Sequence, residues 1–189
     1  MRKVVILLVS AFISLISFAQ TYWKIDPFES SITFKVANGG FTLFRGSFID
    51  YTGNGITYGE KLEDSKIDFT VQVTSINTNN EERDNHLRSP DFFEVEIYPT
   101  MTFESTKVLA TCKPDCYLLH GNLTIKDVTK DVVYDAYYLG TVETGGKERI
   151  FVEAKTTINR FDYNINYNPA GLGFGKKTHI TVCGQFVKQ

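Results

Sequence analysis

The sequence predicts an all-β antiparallel domain, on three observations. Beyond residue 19, 68 of 170 residues are Val, Ile, Thr, Phe, Tyr or Trp, against only 9 Leu and 5 Ala. Branched and flat side chains pack well on a pleated surface, whereas helices favour the depleted pair. Apolar and polar residues alternate with period two in several runs, which gives each strand one buried and one wet face. Turn signals separate the runs: Asn38-Gly39-Gly40, Gly53-Asn54-Gly55, Lys113-Pro114-Asp115 and Thr144-Gly145-Gly146.

About eight strands follow in order. The first is expected over 22–26 and again over 30–37, where Ile32, Phe34 and Val36 alternate with Thr33 and Lys35. Strands over 41–51 and 55–58 flank the Gly53-Asn54-Gly55 turn signal. The next, over 65–75, alternates Ile67, Phe69, Val71 and Val73 with Asp68, Thr70 and Gln72. Thr78-Asn79-Asn80-Glu81 fits a capping box with Thr78 as N-cap, so Glu81 to Arg88 reads as a short polar helix. Pro90 fits the first position of a further turn, and the whole segment, residues 79–93, is expected to cap one end of a sheet. Strands over 100–110 and 116–126 carry Met101 and Phe103, then Leu123 and Ile125, on their apolar faces. A seventh is read over 130–142 with 147–159, and the last over 178–188. Such long strands suit an eight-stranded antiparallel barrel, although alternation alone leaves a sandwich open.

The chain has 189 residues and a formal net charge of −2. One domain is expected, and the near-neutral balance argues against nucleic acid as partner. Residues 1–19 combine Arg2 and Lys3 with an apolar run from Val4 to Phe18 and small residues at Ser17 and Ala19. This is the pattern of a cleaved secretory signal peptide. The expected mature chain is residues 20–189, periplasmic or secreted, without a permanent membrane anchor. In that oxidising compartment Cys112 and Cys116, flanking Lys113-Pro114-Asp115, are expected to form a disulfide, and Cys183 to be left over.

Catalysis finds little support. No zinc-protease, nucleophile-elbow or phosphate-loop motif occurs. Gly171-Leu172-Gly173-Phe174-Gly175 reads as a loop before the last strand, and Glu82, Asp84 and His86 as a solvated helix face rather than a metal site. No enzyme, cofactor or metal is therefore expected. Aromatic residues are the informative class: they form either a packed core or the lining of an apolar tunnel.

Trp23-Lys24-Ile25-Asp26-Pro27 followed by Ser30-Ser31-Ile32-Thr33-Phe34 resembles the opening of the YceI-like family, and Arg45-Gly46-Ser47-Phe48 its next block. The most specific match is Arg83-Asp84-Asn85-His86-Leu87-Arg88-Ser89-Pro90-Asp91-Phe92-Phe93, continued by Tyr98-Pro99-Thr100-Met101-Thr102-Phe103. Gly121-Asn122-Leu123-Thr124-Ile125-Lys126 and Ile158-Asn159-Arg160-Phe161-Asp162-Tyr163 resemble later blocks. The resemblance implies a lipocalin-like barrel with a long hydrophobic pocket, binding polyisoprenoid or similar amphipathic lipids in bacteria. Candidate ligands are then an isoprenoid, an isoprenoid quinone or a fatty-acid-type lipid, with a homodimer left open. The tail is expected among Phe34, Phe48, Phe69, Val71, Phe92, Phe93, Phe103, Leu123 and Tyr163, and the head group near Arg83, His86 or Arg160. The competing expectation is a solid-core secreted interaction module, whose inward rings would leave no cavity of about 300 Å³.

Overall fold

The computed structural model describes residues 20–59, 61–168 and 173–189. The expected signal peptide, residues 1–19, and Gly171-Leu172 of the glycine run lie outside the described residues. The described residues form the strand segments β1 (Gln20–Ile25), β2 (Ser31–Asn38), β3 (Thr42–Phe48), β4 (Tyr51–Tyr58), β5 (Lys61–Gln72), β6 (Ile76–Asn77), β7 (Thr100–Ala110), β8 (Cys116–Ile125), β9 (Val128–Thr144), β10 (Lys147–Asn159) and β11 (Phe174–Lys188), with one helix, α1 (Glu81–Arg88), between β6 and β7.

These segments make a closed barrel of eight antiparallel staves, as the resemblance implies. The first three staves are bent: β1 continues into β2, β3 into β4, and β5 into β6. Along one edge, β11 pairs with β2 through Phe174–Cys183 and with β1 through Phe186–Lys188, which closes the barrel. The second stave pairs in the same divided way, β3 with β2 and β6, and β4 with β1 and β5. The first bend falls at Asp26-Pro27, where a residue without an N–H leaves the ladder. At the second, the Ser75 hydroxyl accepts from the N–H groups of Ile49 and Asp50, at 3.2 and 3.1 Å.

Three expectations need correction. Gly53-Asn54-Gly55 is not a turn but the middle of β4, paired with Phe69, Asp68 and Ile67. Gly53 is there for close approach: a Cβ on it would stand 2.8 Å from the Phe69 ring. The run 130–142 with 147–159 is two staves, β9 and β10, turned at Gly145 and Gly146 with φ of 62° and 69°. The two errors offset, so the count of eight survives. Thirdly, the N-cap of α1 is Asn80, whose side chain accepts from Arg83 N–H. Thr78 is buried instead, its hydroxyl and N–H donating to the Asp84 carboxylate at 2.5 and 2.9 Å.

The Cys112–Cys116 pairing also departs from expectation, whereas Cys183 is left over as expected. Cys112, Cys116 and Cys183 are all free thiols. The hairpin closes with Thr111 N–H donating to Cys116 O, so Thr111, not Cys112, stands across from Cys116.

Candidate functional site

The period-two alternation of the sequence becomes inside and outside of the barrel. Ile32, Phe34 and Val36 of β2, Phe69 and Val71 of β5, and Leu123 and Ile125 of β8 all face one interior cavity of about 280 Å³. It runs the length of the staves. At one end it is lined by Leu62, Tyr117 and Ile150, and at the helical end by Phe44, Arg83, His86 and Phe174. The lining is almost wholly apolar.

A barrel with so many inward rings stays hollow because glycines stand next to the rings. Phe34 pairs with Gly46 and Phe69 with Gly53, each directly opposite on the adjacent strand. Phe103, whose direct cross-strand partner is Leu123, leans over the diagonally placed Gly121, 2.4 Å from where a Cβ would sit. With no side chain on the glycine beneath it, each ring lies against the wall rather than standing into the lumen. Phe69 also meets Phe186 edge to face, with centroids 6.0 Å apart, and Phe103 meets Tyr134 at 5.3 Å.

The helical end is closed by aromatics and two basic side chains. Phe44 stacks on Phe174 at 5.2 Å, and Tyr167 lies 4.8 Å from Phe92 and 4.9 Å from His86. Arg83 reaches back from α1, its guanidinium 4.7 Å over the Phe44 ring, and donates through Nε to Thr78 Oγ1 and through Nη2 to the Thr78 carbonyl, both at 2.7 Å. Thr78 in turn is held by Asp84, a carboxylate buried at the base of the helix. His86 lies 2.8 Å through Nε2 from Asp91, and its side chain is 42% exposed, so it borders both the cavity and solvent. Asp84 and His86 therefore face different partners. Among the described residues no three His, Cys, Asp or Glu converge as a metal site would need.

Of the twelve residues expected to contact a ligand, eleven line this cavity: Phe34, Phe48, Phe69, Val71, Arg83, His86, Phe92, Phe93, Phe103, Leu123 and Arg160. Tyr163 does not. It is 1% exposed in the packed base beneath the barrel, and its hydroxyl has no partner among the described residues. Burial, and next Asp162, push its phenol up to about 12. Burial likewise raises Tyr134, which does line the cavity. Arg160 borders the cavity, but its guanidinium is already committed. It donates to the carbonyls of Ile165 at 2.6 Å, Gly175 at 3.1 Å and Asn168 at 3.5 Å, and burial lowers its pKa. It ties the chain after β10 to the start of β11.

The sequence reading missed the aliphatic part of the lining, including Ile150, Val152 and Ala154 of β10 and Ile180 and Val182 of β11. Their parity was available as a signal, since both strands alternate.

Comparison with known proteins places this geometry. A family model described as the YceI-like domain matches residues 23–186. A UPF0312 protein from Azotobacter vinelandii is 36% identical over 135 residues, covering 71% of this chain and 70% of its own. One from Pectobacterium carotovorum is 38% identical over 136 residues, covering 71% and 69%. Among solved structures, the YCEI protein of Campylobacter jejuni is 29% identical with a TM-score of 0.65, covering 77% of this chain and 85% of that one. A polyisoprenoid binding domain from Saccharophagus degradans superposes with a TM-score of 0.67 at 16% identity, covering 87% and 97%. At that identity the likeness is one of fold.

Proposed function

The chain belongs to the YceI-like family, and from that premise we propose that its barrel takes up the hydrocarbon chain of an isoprenoid or similar amphipathic lipid. An isoprenoid alcohol, an isoprenoid quinone and a fatty-acid-type lipid all have the required form. The protein would act as carrier, store or scavenger in the periplasm or outside the bacterial cell, and not as an enzyme. The observation that carries this reading is the continuous apolar cavity running the length of the barrel.

Its volume, about 280 Å³, is just under the usual range for small-molecule pockets. A slender chain needs length rather than bulk, however, and the lining supplies length. Each methylene moved from water into such a lumen contributes about 0.8 kcal/mol. About ten buried carbons would thus supply about 8 kcal/mol before the costs of association. The head group is placed at the helical end, where Arg83 and the half-exposed His86 border the cavity. A solid interaction module fits less well, because the Phe–Gly pairs hold the rings off the lumen.

The test is native mass spectrometry of gently purified protein, followed by titration with an isoprenoid alcohol and a quinone. Co-purified lipid or saturable uptake is expected. A protein that is empty on purification and takes up neither compound refutes the proposal.

A further inference from the structure

Three neighbouring segments of the wall carry charge of one sign only. Residues 30–49 and 163–189 contain no Asp or Glu, and these two stretches, as β2, β3 and β11, lie side by side in the barrel. Their basic groups gather on the outer face. Lys35 stands directly opposite Arg45 on one side and His179 on the other. All three are exposed. The His179 ring is hydrogen-bonded to the Thr157 hydroxyl, while Lys35 and Arg45 are absent from the ion pairs found among the described residues. Exposed Lys177, two residues from His179 and on the same face, extends the row along β11. Like charges directly opposite each other on adjacent strands weaken the pairing. An anionic partner would relieve that repulsion.

A second feature adjoins the row. The β2–β3 hairpin turns through Gly39 and Gly40, with φ of 60° and 77°, and presents Phe41 at its tip, 97% exposed. Leu43, 48% exposed, stands opposite Ala37, on the same outer face as Lys35 and Arg45. The inner face of the same hairpin carries Val36 and Phe44, which line the cavity. A fully solvated ring at a projecting tip, backed by unpaired cations, matches an anionic surface with an apolar layer just beneath it. An acidic protein would match the cations but would not call for the ring.

The geometry points to the β2–β3 hairpin as a docking element for an anionic phospholipid bilayer. Docked this way, the rim of the cavity rests against the membrane, and a hydrocarbon chain passes between bilayer and lumen with little exposure to water. Docking itself does not depend on what the cavity holds.

The test is sedimentation of the purified protein with phosphatidylcholine vesicles, with and without about 30% phosphatidylglycerol. Binding is expected only to the anionic vesicles, and raised salt should release it. Lys35→Glu is the informative variant. It turns a repelling cross-strand pair into an attracting one, so its thermal midpoint should hold or rise while vesicle affinity falls at least about fivefold. Phe41→Ser should weaken binding without moving the midpoint, because the ring packs against nothing in the free protein. Lys147→Glu, in the turn at the opposite end of the barrel, should bind as the parent does. Every arm uses the expected mature chain, residues 20–189, so the apolar leader contributes nothing to vesicle binding.

Equal binding to neutral and anionic vesicles overturns the assignment, as does Lys35→Glu binding like the parent. Binding to an acidic polypeptide such as polyglutamate, but not to vesicles, gives the surface to an acidic protein instead and likewise overturns it. Lipid content measured on the same samples keeps the two proposals apart. A lipid-filled protein that ignores vesicles removes docking alone, and an empty one that docks removes only the lipid cargo.

Discussion

Gly53→Ala should push a ring into the lumen rather than break the barrel. The added Cβ would stand 2.8 Å from Phe69 Cε1, 2.9 Å from Cδ1 and 3.1 Å from Cζ. Ordinary carbon contacts lie at about 3.5–4.0 Å, so the ring must move by about 0.7–1 Å. All three contacts are with the end of one side chain, and the cavity offers space to receive it. Gly53 lies in regular strand without a positive φ, so alanine suits its backbone. Overpacking costs about 1–3 kcal/mol, and losing the Phe69–Phe186 edge contact about 0.5–1.5 kcal/mol more. Replacing a strand glycine by alanine returns about 0.5–1 kcal/mol. A net loss of about 2 kcal/mol, the middle of these ranges, is expected, a drop of about 4–8 °C in Tm at this size. Lipid retention should fall with it, since the displaced ring narrows the lumen. The double variant Gly53→Ala, Phe69→Leu should recover retention. Denaturant melts and lipid content by mass spectrometry read both effects. A loss well above 3 kcal/mol with lipid content unchanged would refute the idea that the glycine keeps the ring against the wall.

Two further outcomes are expected. Arg160→Ala removes the donor to the buried Ile165 carbonyl and to the half-buried carbonyls of Gly175 and Asn168, so stability should fall by about 2–4 kcal/mol in denaturant melts. If Arg160 instead served the head group, lipid affinity would fall while stability held. The raised phenols of Tyr163 and Tyr134 add stability that is fully present below about pH 10, the unfolded value, and is lost as pH rises toward the folded values, about 12 for Tyr163. Thermal melts should therefore decline above pH 10, and Tyr163→Phe, which removes an unpartnered buried hydroxyl, should soften that decline without harming stability at neutral pH.

Fold class and inward parity were legible in the sequence because a half-buried strand writes its two faces with period two, whereas the count of eight came out right only through two offsetting errors. The parity placed Ile32, Phe34, Phe69 and Leu123 inside together, and the motif from Arg83 to Phe93 marked the helical end. Other features depended on which strands became neighbours. Gly53-Asn54-Gly55 has the composition of a turn, and only the pairing of Gly53 with Phe69 makes it a strand. The same rings could equally have filled the interior. What leaves the barrel hollow is the cross-strand placement of Phe34 on Gly46 and Phe69 on Gly53, residues 12 and 16 positions apart in the chain. Tyr163 follows the same rule in reverse: its motif promised a wall position, and the turn after β10 folded it into the base. Local alternation determines which face of a strand is apolar, whereas the register between strands decides whether those faces meet each other or enclose a space.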